Sequence, residues 1–436
     1  MSFFIMFAVL LVVGFPIAYS MGIAGLVYLL LHGVPLAAVA QEILGGVNSF
    51  TLLAIPLFIF AGELMENGGI SRRILGLSFN MVGHIRGGLG HVAVLSTFLL
   101  SGISGSSTAD TAAIGTAMIP TMEKHGYSRA KATAIIAACG GMDILIPPCL
   151  TMIILGGIAN ISVEALFFGG LAPAAVMALS LMIVVYFDAR KNKIRKDEWQ
   201  GFKKIGTSFK ESIWALMIPI IILGGIRLGI FTATEGAVIV VIYSLLIAIF
   251  IYKEVKLKDI YPIMLRSTKT VGSIMFIIGS ASLFAWVTAS EQIPNNLLAF
   301  MNNFSASPII FLLIVNAVFL ILGAVLEGSP AVIILTPIFM PVAVQYGIDP
   351  VHFGIIIVAN IGVGFLLPPI GLCLLVACSV GKIEIAKVIR PILPYFAALI
   401  VALMLITYIP DLVLTLPKAI GYIPQGDFAG FMTIFR

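Results

Sequence analysis

Charged side chains are scarce in this sequence. Asp, Glu, Lys and Arg make up 10% of the 436 residues, whereas 60% of the residues are hydrophobic. A water-soluble domain carries about 25% charged residues, because its surface must be hydrated. Apolar stretches recur at 213–226, 238–252 and 392–409, and about 20 such residues cross the ~30 Å hydrocarbon layer as a helix. The sequence therefore predicts an all-α polytopic membrane protein embedded in a lipid bilayer.

Features that would indicate several other functions are absent. None of the four cysteines belongs to a CxxC pair, so neither zinc binding nor a disulfide framework is indicated. No GxxxxGK[ST] sequence occurs, so active transport would draw on an ion gradient instead of ATP. The net charge of +5 comes from basic segments between apolar runs and does not indicate nucleic-acid binding. The apolar run at 1–22 has no Lys or Arg before it, so we expect a retained first spanning helix.

Basic residues are concentrated in two segments that divide the chain. Residues 188–211 contain eight Lys and Arg, and residues 253–269 contain five more. Lys and Arg in short loops stay on the cytoplasmic side of a membrane, so both segments are expected to be cytoplasmic loops. They separate two halves, 1–187 and 270–436, around a central pair of helices at about 213–252.

The two halves contain an internal repeat. When the sequence is shifted against itself by 221 positions, residues 120–148 align with 341–369 without a gap, and nine of 29 positions are identical, including glycines and prolines. The loop 121–131 carries three Lys or Arg, whereas its counterpart 342–352 carries none. The two loops are therefore expected on opposite sides of the membrane. The pattern predicts inverted repeats, which are typical of secondary transporters.

Each repeat places glycines and a double proline inside an apolar run, as GGMDILIPP at 140–148 and IGVGFLLPP at 361–369. Proline lacks an amide donor and disfavours helix at the preceding residue, and glycine unwinds readily. Carbonyl groups freed in this way cannot face lipid, so we expect two broken helices that line a cavity or bind an ion. The residues that break the helices are Pro147, Pro148, Pro368 and Pro369.

Upstream of each break, a polar interruption divides an apolar stretch, at 101–120 and at 322–341. The apolar parts on either side are too short for two full spans, which predicts two re-entrant helical hairpins. Four hydroxyl side chains fall within positions 104–108 of the first tip, where they could bind a hard cation or a carboxylate. Carboxyl groups inside apolar segments need compensating partners. These groups are Asp110 and Asp143, the second without an assigned role, and Glu327 at the second tip.

Other functions fit single features of the sequence. GISG at 102–105 matches the GxSG pattern of rhomboid-type intramembrane serine proteases, whose serine needs a base within reach. His125 and His352 lie near predicted loops instead of mid-membrane, which disfavours this alternative. A channel is another alternative, although inverted repeats with two hairpins favour alternating access. Glu63 and Glu66, at the end of an earlier span, are expected to be interfacial anchors.

Several motifs in order along the chain resemble a known family. They are GISGSSTADTAAIGTAMIPTMEKHGY from residue 102, PP at 147–148, ILTPIFMPVAVQYGIDPVHFG from residue 334 and LLPPIG from residue 366. The sequence resembles the large membrane subunit of tripartite ATP-independent periplasmic (TRAP) transporters from residue 1 to about residue 416. The resemblance implies an elevator-type fold of the ion-transporter superfamily, with two hairpins and two broken helices in the moving part.

The resemblance also implies a function, partners and a location. The family imports an organic acid, such as sialic acid or a C4-dicarboxylate, on the Na⁺ gradient across the bacterial inner membrane. It works with a small four-helix membrane subunit and a soluble periplasmic binding protein. No organic cofactor and no catalytic residue is expected. A self-sufficient Na⁺/carboxylate symporter, which needs no binding protein, is the alternative.

The residues that match the family's motif positions give the expected sites. The first Na⁺ site would comprise Ser104, Ser106, Ser107, Gly140 and Gly141. The second would comprise Glu327, Gly328, Ser329, Gly362 and Gly364. The substrate would contact Ser106, Asp110, Glu327 and Cys149, the last of which stands where family members often carry serine.

These elements predict the organisation of the chain. The predicted units are scaffold helices at 1–90, a first transport repeat and following span at 91–187, basic loops and central scaffold helices at 188–270, a scaffold helix and connector at 271–305, a second transport repeat at 306–387, and a C-terminal span and tail at 388–436. A bulky residue in place of Gly141 or Gly362 is expected to abolish Na⁺ dependence without unfolding the protein.

Overall fold

The computed structural model describes residues 2–192, 194, 198–304 and 307–426. Within these residues the structure is helical and contains no strand, which confirms the predicted class. The first ten helices are α1 (Ser2–Val13), α2 (Ile17–Leu31), α3 (Leu36–Val47), α4 (Ala54–Asn67), α5 (Ile70–Val82), α6 (Gly88–Ser104), α7 (Ser107–Lys124), α8 (Arg129–Asp143), α9 (Leu150–Ala159) and α10 (Val163–Lys191).

The second half of the chain is equally helical. Its helices are α11 (Phe202–Arg227), α12 (Ala233–Leu246), α13 (Leu257–Ser290), α14 (Ile293–Phe304), α15 (Pro308–Val325), α16 (Gly328–Gln345), α17 (Pro350–Gly364), α18 (Leu372–Val380), α19 (Ile385–Tyr408) and α20 (Pro410–Ala419). Within the described residues, seven helices are long and apolar enough to cross a membrane, or eight if the bent pair α3 and α4 forms one span. The chain is therefore a multi-pass membrane protein.

The expected first span at 1–22 is wrong. Gly14 adopts a φ of +96°, and Pro16 immediately precedes α2, so the apolar run is divided into α1 and α2. The 12 residues of α1 extend about 18 Å at 1.5 Å per residue, which is less than the hydrocarbon thickness.

The two basic segments, 188–211 and 253–269, were expected to be loops, but helices extend into both of them. α13 begins at Leu257, so most of the 253–269 segment is the start of a long helix. α10 continues to Lys191, and α11 begins at Phe202. Part of the intervening basic run, comprising Lys193, Arg195 and Lys196, lies outside the described residues, as do residues 427–436 of the predicted tail.

Both predicted hairpins are present as pairs of helices joined by short turns. α6 and α7 meet at Gly105 and Ser106, and α15 and α16 meet at Leu326 and Glu327. The arms contain 17 and 18 residues in the first hairpin and 18 each in the second. The expectation of short arms is wrong for the second hairpin, because α15 and α16 each have the length and composition of a span.

Both broken helices are also confirmed. α8 ends at Asp143 and α9 begins at Leu150, while α17 ends at Gly364 and α18 begins at Leu372. The double prolines lie in the two gaps, and the peptide bond within each pair is cis. The two repeats pack across each other, since α7 contacts α18, α16 contacts α9 and α8 contacts α17. Outside this group, α13 packs against α2, α3 and α4.

The contact between α8 and α17 joins equivalent positions of the two repeats. A Cβ atom added to Gly362 would overlap the carbonyl oxygen of Gly141 and lie 2.7 Å from Cγ2 of Ile144. Reciprocally, a Cβ atom at Gly141 would lie 3.0 Å from the carbonyl oxygen of Gly362. The two backbones therefore approach to contact distance, which only glycine permits. This geometry contradicts the expectation that a bulky residue at either position leaves the fold intact.

A buried polar network ties the second repeat to α19. Asn360 of α17 donates from Nδ2 to Asn316 Oδ1 of α15 at 2.7 Å, and Asn316 Nδ2 lies 3.1 Å from Thr407 Oγ1 of α19. All three residues are buried. Side-chain hydrogen bonds of this kind hold helices together in a membrane, where lipid is as apolar as the helix surfaces and the hydrophobic effect contributes little.

Gly362→Ala tests the glycine contact. The added methyl group has no space, so we expect the free energy of unfolding to fall by about 1–3 kcal/mol, the usual effect of overpacking. Gly206→Ala in α11 is the matched control, because nothing lies within 4 Å of a Cβ atom there and alanine favours helix. Thermal unfolding in detergent measures both. Equal melting temperatures for the two variants would contradict the close approach.

Candidate functional site

The two hairpin tips and the two breaks line one cavity of about 210 Å³. The first tip contributes residues 104–109, and the second contributes residues 327–329. The breaks contribute Ile144 and Phe365, and the remaining wall comes from α4, α9 and α13. Segments that are far apart in the sequence thus meet at the place where the repeat pattern predicts a binding site.

The first tip turns sharply because of one glycine and one serine. Gly105 has a φ of +66° and donates its N–H to the carbonyl of Ser101 at 3.1 Å, which ends α6. Ser106 is the N-cap of α7, and its Oγ accepts from the N–H of Ala109 at 3.5 Å. The same Oγ lies 3.4 Å from Oγ1 of Thr108. This N-cap arrangement places a row of hydroxyl groups on the cavity wall.

Three helix N-termini also face the cavity. Each of α7, α9 and α16 contributes first-turn residues to its wall, among them Ser107, Thr151 and Gly328. A helix N-terminus carries unpaired N–H groups and a partial positive charge, and it attracts anions. No Lys or Arg belongs to the described wall. An anion would therefore be held by N–H and hydroxyl groups, as the sequence predicts.

Three carboxylates oppose these positive ends. Glu63 and Glu66 of α4 and Glu327 of the second tip all line the cavity. Glu63 and Glu66 are expected to be interfacial anchors, and the structure places both on the cavity wall, where Glu63 pairs with Arg266 at 3.3 Å. Their spacing of three residues places both carboxylates on one face of α4.

Asp110 lies apart from this wall. Its side chain is 2% exposed and accepts a hydrogen bond of 2.6 Å from Ser104 Oγ. It borders a separate small void beside Glu66 and Ser104. Its carboxyl group lies beside that of Asp143 at the end of α8. The structure thus groups Asp110 with the first expected Na⁺ site instead of with the other expected substrate contacts.

The expected carbonyl ligands of the first site have the geometry of freed acceptors. The N–H groups of Ile144 and Leu145 both point to the carbonyl of Met142, the second at 3.3 Å. The carbonyls of Gly140 and Gly141 therefore do not accept the usual helical hydrogen bonds from the N–H groups of Ile144 and Leu145. Neither glycine lines the cavity, however, and both are packed inside the transport repeats.

At the second expected Na⁺ site, the glycine carbonyls already accept hydrogen bonds. The carbonyl of Gly362 accepts from Phe365 N–H at 3.2 Å, and the carbonyl of Gly364 accepts from Leu367 N–H at 2.9 Å. Both carbonyls already have partners. Glu327 and Ser329 line the cavity, whereas the two glycines do not.

Cys149 is the N-cap residue of α9 and is 3% exposed. It does not line the cavity, but Thr151, two residues later, does. A Cβ atom at Gly328 would lie 3.2 Å from Thr151 Oγ1, so this hydroxyl group lies directly beside the second tip. Thr151 was missed because a single threonine in an apolar helix is usually a packing residue.

The wall favours ion binding over hydrolysis. No histidine borders the cavity within the described residues, and Ser104 donates to Asp110 instead of to a general base. His352 lies in the first turn of α17, where Nε2 is 3.0 Å from the carbonyl of Ile406. Across the part of the chain that is described, no group of three His, Cys, Asp or Glu could hold a metal ion. A cation would therefore rely on hydroxyl and carbonyl oxygens as well as carboxylates.

Comparisons with known proteins identify the family. Residues 4–412 match the model of the DctM component of tripartite ATP-independent periplasmic transporters. The C4-dicarboxylate TRAP transporter large permease protein DctM of Pseudomonas aeruginosa is 39% identical, over 92% of this chain and 94% of that protein. The sialic acid TRAP transporter large permease protein SiaM of Vibrio cholerae is 34% identical, over 95% and 97%.

A solved structure supports the fold. The YdaH transporter of Alcanivorax borkumensis aligns with a TM-score of 0.65 and 12% identity, over 85% of this chain and 88% of that one. Together with the helical hairpins and the match over nearly the whole length, these relatives settle the classification. The chain belongs to the DctM family, the large permease components of the tripartite ATP-independent periplasmic transporters.

Proposed function

We propose that this chain imports an acidic organic solute, of the sialic acid or C4-dicarboxylate type, by Na⁺ coupling and an elevator movement. The observation that carries the proposal is the single cavity in which two hairpin tips, two breaks and three helix N-termini meet. Helix N-termini bind anionic groups, and unwound backbone coordinates Na⁺ in secondary transporters. The two named relatives point to these two substrate classes.

Family membership implies two protein partners. A large TRAP permease works with a small membrane subunit and with a periplasmic binding protein that delivers the solute. We propose that the small subunit has four helices and enlarges the fixed scaffold in the bacterial inner membrane. Exposed apolar side chains on the scaffold helices, such as Phe276 of α13 and Leu246 of α12, are suited to contact this subunit or lipid.

The first Na⁺ site is proposed at the first hairpin tip and the first break. Its donors would be the hydroxyl groups of Ser104, Ser106 and Ser107 together with the carbonyls of Gly140 and Gly141. Support comes from the short contact between Ser104 and Asp110 and from the missing helix bonds to the two glycine carbonyls. Oxygen donors suit a hard cation such as Na⁺.

The second Na⁺ site is proposed at the second tip. Glu327, Gly328 and Ser329 would provide the ligands, and the glycines Gly362 and Gly364 would position the break behind it. The carbonyls of those two glycines and of Glu327 already accept hydrogen bonds, so the side-chain oxygens of Glu327 and Ser329, which line the cavity, are the better donors. Substrate contacts are proposed from Ser106, Thr151 and Glu327 on the cavity wall.

An elevator movement is supported by a second cavity on the same interface. The 210 Å³ cavity meets α13 at Thr270 and Ile274. Another cavity of about 610 Å³ contacts α13 between Ile278 and Ala289, nearer its C-terminal end, and is bounded by α3, α9 and α16. Two cavities at different levels of one scaffold helix leave space for a transport unit to slide along it and expose its site on alternate sides.

Uptake into proteoliposomes tests the proposal. The chain would be reconstituted with its small subunit, with and without the binding protein, under an inward Na⁺ gradient and with labelled succinate or sialic acid. We expect uptake only when Na⁺ and the binding protein are both present. Uptake with Na⁺ alone would indicate the self-sufficient symporter, and uptake without Na⁺ would contradict the coupling.

Ser104→Ala tests the first Na⁺ site. Removal of one hydroxyl ligand is expected to raise the Na⁺ concentration for half-maximal uptake about tenfold, since a buried hydrogen-bonding group contributes about 1 kcal/mol or more. Ser96→Ala is the control, because Ser96 lies buried on the same helix and its hydroxyl has no partner. If the two variants require the same Na⁺ concentration, Ser104 is not a ligand.

Thr151→Val tests the substrate wall. Valine keeps the shape but removes the hydroxyl group, so KM for the solute is expected to rise about tenfold while the requirement for Na⁺ stays unchanged. Thr116→Val, on an exposed position of α7, is the matched control. An unchanged KM in Thr151→Val would remove this residue from the binding site.

A further inference from the structure

Four polar side chains meet where the first hairpin crosses the first broken helix. Ser104 Oγ donates to Asp110 Oδ2 at 2.6 Å. The carboxyl group of Asp143 lies beside the side chains of Ser107 and Asp110. Ser101 adds a bond of 2.7 Å to the carbonyl of Asp143 and fixes the end of α8 against α6. The cluster therefore joins the hairpin to the helix at the edge of the break.

No basic side chain of the described residues pairs with the carboxylates of this cluster. Asp110 and Asp143 are 2% and 1% exposed, and neither forms an ion pair within the described residues. The other ionisable groups that face them are Glu66 and the thiols of Cys139, Cys149 and Cys373, none of which is cationic.

One oxygen of the cluster is left without a partner. Asp143 Oδ1 is buried and accepts no hydrogen bond from any described group. Adjacent carboxylates repel each other strongly where the dielectric constant is low, and a charge inside a membrane requires compensation. The geometry thus has two acidic groups, two hydroxyl groups and one free acceptor, but it has no positive charge.

We propose that Asp143 is a second carboxylate ligand of the first cation site, so that one cation held between Asp110 and Asp143 ties the first hairpin to α8. The donors are all oxygens, which suits a hard cation. The identity of that cation as Na⁺ rests on the proposed function. When the cation leaves, repulsion between the two carboxylates loosens the hairpin from the broken helix, which couples occupancy to the packing of the moving part.

The second repeat has no equivalent of this cluster. The residues found 221 positions after the four polar ones are all without side-chain oxygens. They are Val325, Gly328, Ala331 and Gly364. Gly364 packs against the backbone of α15, where a Cβ atom would lie 2.7 Å from the carbonyl of Leu320. The carboxylate pair is therefore specific to the first repeat, and any cation at the second tip is bound by other groups.

Asp143→Asn tests the proposal without a transport assay. Purified protein would be unfolded thermally at constant pH over a series of NaCl concentrations, with choline chloride holding the ionic strength constant. Loss of one carboxylate ligand is expected to raise the Na⁺ concentration for half-maximal stabilisation by about tenfold or more. Asp411→Asn, the same substitution at an exposed ion pair with Lys418, is expected to match the wild type.

The outcomes separate this inference from the proposed coupling. If Na⁺ stabilises the wild type and Asp143→Asn equally, Asp143 is not a ligand, and only this inference is overturned. If Na⁺ stabilises neither protein, the Na⁺ coupling is contradicted as well. If the melting temperature depends on pH and not on the cation concentration, Asp110 and Asp143 share a proton instead of a cation. This result would also overturn the proposal.

The wild type provides a second measurement in case Asp143→Asn does not fold. A site with two carboxylates binds divalent hard cations well, because affinity increases with the number of charged ligands. CaCl₂ is therefore expected to stabilise the wild type and to raise the Na⁺ concentration needed for half-maximal effect. A wild type whose response to Na⁺ is unaffected by Ca²⁺ would contradict the second carboxylate.

Discussion

Two helix backbones touch near the centre of this protein, because neither carries a side chain at the crossing. Gly141 of α8 and Gly362 of α17 each leave room for the other's carbonyl group. The crossing fixes the distance between the two broken helices, and each break begins within a few residues of it. The hairpins pack on these helices, so the position of both tips follows from the same contact.

The electrostatics of the cavity combine two opposite features. Three helix N-termini present N–H groups and partial positive charge to an anion, whereas Glu63, Glu66 and Glu327 present negative charge to the same space. No basic side chain mediates between them within the described wall. A bound cation near the first tip would offset part of this negative charge. Cation and anion binding would then favour each other through ordinary Coulomb attraction, which is the physical requirement for coupled transport.

The sequence was sufficient to predict elements whose signals are local. Paired glycines and prolines at 140–148 and 361–369 predicted both breaks, and the shift of 221 positions predicted that they are equivalent. The hydroxyl-rich turn at 104–108 predicted the first tip. These signals act through backbone chemistry over a few residues, so they do not depend on which helices become neighbours.

Tertiary neighbours were harder to predict. Asp110 was grouped with the substrate contacts because it follows the tip, but the packing of α7 on α8 brings it to Asp143. Glu63 and Glu66 were treated as anchors, since nothing in their own helix indicates that α4 faces the tips. The error at 1–22 has a different origin. There the apolar length was counted, and the helix-starting position of Pro16 was overlooked.

The reciprocal contact between Gly141 and Gly362 has the form of a contact between identical subunits. In a symmetric dimer, one residue meets its own copy across the two-fold axis, and each substitution is felt twice. Here the two copies are separate positions of one chain, so each can change alone. The first repeat, for example, has Asp143 of the carboxylate pair where the second repeat has Gly364. A single chain thus keeps the geometry of a dimer while its two repeats carry different side chains at equivalent positions.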